Sequence, residues 1–193
     1  MQANRNLRIL PDGVTFQEDP LLGCRFTTAY RAIVQQGLGL DSQQGHMRQM
    51  EQTQNKTVCV FGCGGLGLSC IMIAKAFQVE GNINSIIVVD VSSQALAKAL
   101  ELGADQIVNA KLLAVNAKDG NEDDLVRKRV VELTEGLGAE LTIDAAGFAS
   151  TCKNTVHCTR RGGRMWSKLA CQSEGAGTPR YQWVRLPVEN LKL

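Results

Sequence analysis

With 193 residues, 44% of them hydrophobic and 21% charged, the chain is long enough for one well-packed globular domain and too short for two large ones. Its net charge of +2, with five Phe, two Trp and two Tyr, provides neither the field nor the stacking surface of a nucleic-acid or membrane-surface binder. The first eight residues have no apolar core behind their arginines, so no secretory signal is read there.

Chain order is more informative than composition. Thr27–Gln36 has the pattern of a helix, entered from the loop Pro20–Cys24, and Gln36–Lys56 is a polar, Gln- and Gly-rich connection. Val58–Phe61 is a short apolar run suited to a buried parallel strand, followed by helical periodicity over Leu66–Phe77. Thr57–Ala74 carries no charge over 18 residues, but the glycines in its middle argue for strand, turn and helix rather than a membrane span. Ile86–Asp90 predicts a second strand and Ser92–Leu102 a helix, with Ser92 or Ser93 as its N-cap and Gly103 just past its end. Gln106–Ala110 predicts a third strand, Lys111–Asp123 a charged surface loop and Asp124–Glu135 an amphipathic helix. Leu141–Ala145 and Ala149–Arg160 then predict a fourth strand and a fourth helix. This alternation is the signature of an α/β fold with a doubly wound, Rossmann-like parallel sheet, expected here in truncated form with four clear parallel strands.

One motif carries chemistry. Gly62-Cys63-Gly64-Gly65-Leu66-Gly67 fits G-x-G-x-x-G, follows a predicted strand and opens a predicted helix. Gly62 permits the tight turn, Gly64 lets the backbone approach a pyrophosphate, and Gly67 lets the helix pack against the sheet. The N–H groups of Gly65 and Leu66 open the helix, where its positive end meets phosphate. Asp90 ends the next strand, 23 residues past Gly67. A carboxylate there accepts hydrogen bonds from ribose hydroxyls and repels a 2′-phosphate, so NAD is expected over NADP. The seven cysteines form no C-x-x-C pair and read as free thiols of a reducing, cytoplasmic compartment, most of them small core residues.

Leu22-Gly23-Cys24-Arg25-Phe26-Thr27-Thr28-Ala29-Tyr30, then Val60–Ser69, Val89-Asp90, Glu101–Asp105, Asp144–Gly147 and Arg161–Arg164, occur in an order that resembles the nucleotide-binding domain of zinc-type medium-chain alcohol dehydrogenases. The resemblance implies NAD-dependent oxidation of an alcohol, or reduction of the matching carbonyl. It places Cys24 at a catalytic zinc-ligand position and Thr28 beside the nicotinamide. Zinc with an open coordination position would lower the alcohol's pKa and favour hydride release.

The departures from the pattern are as informative. No four-cysteine cluster for a structural zinc is present, Ala95 stands where a ribose-binding lysine is expected, and these 193 residues are expected to lack the upstream domain that completes the zinc site. One thiolate cannot hold zinc, so nucleotide binding is the most expected of this chain alone. A zinc-free quinone or enoyl reductase preferring NADPH, and a non-catalytic NAD-binding fragment, are the alternatives; a small-molecule substrate and a homo-oligomer are the partners the family implies. The chain then divides into a return segment (1–40), an inserted loop (41–56), the nucleotide-binding unit (57–165) and a divergent tail (166–193). Met165-Trp166-Ser167-Lys168-Leu169 is not expected to form a strand. Synonymous codons for Trp166–Gln172 exist whose shifted reading gives V-Q-V-G-L-P, an apolar strand and glycine turn, which suggests a tail translated out of frame. His46 and His157 are expected to be surface or internally satisfied histidines rather than ligands.

Overall fold

The computed structural model describes residues 12–15, 21–38, 56–116, 122–167 and 182–185. Their centre is a six-stranded sheet of order β3-β2-β1-β4-β5-β6, formed by β1 (Thr57–Phe61), β2 (Ser85–Asp90), β3 (Gln106–Asn109), β4 (Ala139–Asp144), β5 (Thr159–Ser167) and β6 (Gln182–Arg185). The first five strands run parallel, and β6 pairs antiparallel with β5. The strand order reverses between β1 and β4, which opens a crevice at their carboxyl ends.

The central strands β1, β2 and β4 are buried on both faces because helices cover both. The central helices are α2 (Gly65–Val79), α3 (Ser93–Glu101), α4 (Ala110–Asn116), α5 (Glu122–Leu133) and α6 (Ala149–Cys158). One core joins Val58, Val60, Ile86, Val88 and Ile143 to α2 and α3; the other joins Cys59, Phe61, Ile87 and Val89 to Val126 and Val130 of α5 and Cys158 of α6. Alternate residues of one strand therefore feed opposite cores.

An amino-terminal helical segment lies on the first of these cores. It is π-wound at Leu21–Phe26 and Arg31–Leu38 and α-helical at Thr27–Tyr30 (α1), so the predicted helix extends beyond its expected start and end. It is held tightly: a Cβ on Gly37 would overlap the Leu141 side chain, and Arg164 Nη1 donates to the carbonyls of Gln36 and Gly37. Of the predicted connection Gln36–Lys56, residues 39–55 lie outside the described residues.

Local chemistry explains where the expected boundaries hold and where they move. Ser92 caps α3 by accepting the Ala95 N–H at 3.3 Å, and Gly103 takes φ +108° just beyond the helix. The predicted loop from Lys111 instead begins as a helix, because the Asn109 side chain accepts the Leu112 N–H at 3.0 Å and caps α4. The predicted helix ending at Arg160 stops at Cys158, where Thr159 turns extended and starts β5.

The expectation that no strand forms at Met165 is also corrected. Leu141, Thr142, Ile143 and Asp144 pair with Arg164, Met165, Trp166 and Ser167, and Met165, Trp166 and Ser167 are buried. The pairing and burial of a neighbouring parallel strand hold these residues extended although their own pattern is unremarkable. Lys168 and Leu169 lie outside the described residues.

Candidate nucleotide site

The glycine turn sits at the strand-order reversal. Gly62 adopts φ +94° and donates its N–H to Val89 O at 2.8 Å, fastening the end of β1 to the end of β2. From the other side Ala145 and Ala146 donate to Phe61 O at 2.9 and 3.1 Å. A Cβ on Gly62 would lie 2.9 Å from the Ala146 backbone nitrogen, and one on Gly67 would overlap the carbonyl oxygen of Gly62. These two glycines are required by the fold itself.

Gly64 is different. It is exposed, takes φ −73°, and a Cβ there would meet nothing within 4 Å. It is also the N-cap of α2, and it offers the helix no side-chain cap. The first intrahelical bond runs from the Leu68 N–H to Gly64 O at 2.9 Å, which leaves the N–H groups of Gly65, Leu66 and Gly67 ahead of it at the positive end of a 15-residue helix. Open space beside such donors is what a phosphate requires.

Asp90 reaches the same loop. Its Oδ2 accepts the Cys63 N–H at 2.6 Å and its Oδ1 accepts the Ser92 N–H at 2.8 Å, so the half-buried carboxylate ties the glycine turn to the start of α3. The Cys63 thiol also hydrogen-bonds this carboxylate, and of its roughly four lone-pair sites it retains acceptor capacity for a hydroxyl donor. Beside it lies a cleft of about 220 Å³ with Phe61, Val89 and Val126 in its interior and Val91 and Phe148 at its edge. Val91 and Phe148 are 57% and 68% exposed, an apolar pair at the mouth of a polar-edged slot. The sequence pattern singled out neither Phe148 nor Val126, because nothing local marks residues that meet only across the crevice.

Cys24 is exposed and Thr28 half-buried on the segment that packs against α2. Among the described residues no group of three or more His, Cys, Asp or Glu side chains could hold a metal ion, so a zinc site does not fit this set of residues. The described cysteines are free thiols, and burial raises those of the core. Cys63 is pushed up to about 12 by burial and then by Asp90, Cys70 to about 12 by burial, and Cys158 to about 12 by burial against the opposing effect of Arg127. Cys59 rises well above its ordinary value through burial, with Cys158 adding to it. Such thiols stay protonated and act as packing. His157 is exposed near the end of α6, beside a separate cleft of about 380 Å³ at the amino-terminal ends of β4 and β5; His46 lies outside the described residues. No helix among the described residues is long and apolar enough to cross a membrane.

Comparison with known proteins identifies the lineage. The family model described as zinc-binding dehydrogenase matches residues 65–168, more than half of the chain. The chain belongs to the zinc-binding dehydrogenase family. Among curated relatives, alcohol dehydrogenase class-2 isozyme 2 of Oryctolagus cuniculus is 32% identical over 157 residues, covering 81% of this chain and 34% of that protein. Sorbitol dehydrogenase of Arabidopsis thaliana is 34% identical over 119 residues, covering 61% of this chain and 29% of its own length. Among solved structures, alcohol dehydrogenase TADH from Thermus sp. ATN1 superimposes with a TM-score of 0.62 at 25% identity, over 90% of this chain and 41% of that one. This zinc-binding dehydrogenase chain thus spans about a third of the length of its curated relatives, and the part it spans is the nucleotide-binding half.

Proposed function

We propose that this chain is the NAD(H)-binding part of an alcohol dehydrogenase-like oxidoreductase that moves hydride between a small alcohol or carbonyl and the nicotinamide. The observation that carries the reading is the open backbone face at Gly64, set at the positive end of α2 with the Asp90 carboxylate bonded to the neighbouring Cys63 N–H. Gly62 and Gly67 shape the turn, Gly64 admits the pyrophosphate, and the N–H groups of Gly65 and Leu66 bind it. The spare lone pairs of Asp90 take the adenosine ribose hydroxyls, and the slot edged by Val91 and Phe148 takes the flat purine. Residues 57–165 are the binding unit in this reading, and Thr28 stands on the nicotinamide side. A nicotinamide held there would supply the hydride acceptor or donor. Cys24 matches a ligand position of the family's zinc; one thiolate is not a coordination sphere, and no step is assigned to the metal.

Titration of the 193-residue chain with NADH and NADPH, followed by nicotinamide fluorescence, tests the reading. NADH is expected to bind more tightly, since a 2′-phosphate would face the Asp90 carboxylate. Asp90→Ala should weaken NADH by roughly 1.5–3 kcal/mol, the range for hydrogen bonds to a charged group. Equal affinity of the unaltered chain for the two cofactors would refute the role given to Asp90.

A further inference from the structure

Arg25 is bound into the site by geometry rather than by motif. A Cβ on Gly65 would fall 2.5 Å from Arg25 Nη1 and 2.8 Å from both its Cδ and its Cζ, so the guanidinium lies on the backbone of the first residue of α2. Arg25 comes from the amino-terminal segment, 40 residues upstream, and is exposed. Among the described residues it forms no ion pair with a carboxylate. Asp90, the acid at this loop, is engaged by the N–H groups of Cys63 and Ser92.

A full positive charge therefore rests against the positive end of a helix with no protein anion between them. That placement repels, because the uncapped N–H groups already carry about half an elementary charge at that end. An anion seated between the two would reverse the sign of both interactions. The space is available, since the adjacent Gly64 meets nothing within 4 Å of a Cβ position.

We infer that Arg25 is a further cofactor-binding residue, whose guanidinium closes on the diphosphate of the nucleotide from the side opposite the α2 N–H groups. The inference rests on the nucleotide site proposed above. A planar guanidinium with five donors suits this task, because it can span two phosphoryl oxygens at once. Through it the bound diphosphate also fixes the segment that carries Cys24 and Thr28, so cofactor binding positions both residues.

The test is calorimetric titration of the intact 193-residue chain and its variants with NADH, ADP and adenosine. NADH and ADP contain the diphosphate and adenosine does not. Arg25→Ala is expected to weaken NADH and ADP by about tenfold and leave adenosine unchanged, with Arg25→Lys recovering part of the loss. The difference between the unaltered chain and Arg25→Ala should narrow in high salt, as an exposed ionic contact must. Because Arg25 is exposed and faces the positive end of α2, the melting temperature of Arg25→Ala should hold or rise slightly and not fall, which separates this role from a structural one. Unchanged NADH and ADP affinity in Arg25→Ala would overturn the inference while leaving the nucleotide site intact. Failure of the unaltered chain to bind either ligand would overturn the nucleotide site and the role of Arg25 with it.

Discussion

The carboxyl ends of β2 and β4 each finish on an aspartate, and the two acids are used in opposite ways. Asp90 is half-buried, accepts two backbone N–H groups, from Cys63 and Ser92, and lines the cleft. Asp144 is fully buried and its oxygens accept the Gly147 N–H at 2.8 Å, the Thr151 hydroxyl at 2.9 Å and the Ser167 hydroxyl at 2.8 Å. The β4 acid joins the loop before α6, the first turn of α6 and the end of β5. It is committed to the fold. The β2 acid shapes the glycine turn and keeps capacity for a ligand. Position at a strand end is therefore not enough to mark a binding residue; the donors already satisfied by the protein decide.

The substitution with the largest expected effect breaks both ends together. Gly67 lets α2 lie on β1, the strand between β2 and β4, and a Cβ there would overlap the Gly62 carbonyl oxygen, which is backbone and cannot rotate away. Gly67→Ala should cost more than about 4 kcal/mol, the exceptional range for one substitution. Urea unfolding followed by circular dichroism measures it. A loss below about 1 kcal/mol would show that α2 shifts freely and that the crevice is not rigid.

Asp144→Ala breaks the β4 end alone. It removes the shared acceptor of the Gly147 N–H and the Thr151 and Ser167 hydroxyls, so a loss of about 3 kcal/mol is expected, set by removal of charge-assisted bonds. Asp144→Asn, which keeps an acceptor oxygen, should recover part of it. The sharpened comparison is with Asp90→Ala, whose donors lie nearer to solvent: it should lose less stability than Asp144→Ala and more cofactor affinity. A reversed order of the two stability losses would show that the β4 network contributes less than its burial implies.

The same contrast explains how much of this molecule could be read from its residues. β1, the glycine turn, α2 and β2 are marked by local signals: apolar runs, glycines at fixed offsets, and a serine cap at Ser92. Asp90 could be placed at the turn because it ends the strand next to β1. The β5 extension through Ser167 was not legible, because what holds it lies 23 residues upstream at Asp144 and in the pairing with β4. α4 was legible in principle, since Asn109 stands directly before a run of helix-forming residues, but the charges that follow Ala110 suggested a loop. Phe148 and Arg25 carried no signal at all: one meets the site across the crevice, the other from a segment separated from the glycine loop by a long connection.

The smallest stability effect is expected at Gly64, and it separates ligand from fold most cleanly. Its backbone, at φ −73° and ψ −174°, is open to any L-residue, and a Cβ would meet nothing within 4 Å. Alanine caps a helix less well than glycine, so Gly64→Ala should change stability by no more than about 1 kcal/mol. Yet in the proposed site the added methyl would stand where the diphosphate approaches the backbone, and NADH affinity should fall by about tenfold or more. Gly67→Ala would reduce binding as well, but only by damaging the turn, and its unfolding curve would reveal that. Gly64→Ala offers no such alternative. A Gly64→Ala chain that melts like the unaltered protein and still binds NADH equally well would mean that the diphosphate does not pass over Gly64, and the site would have to be moved away from the glycine loop.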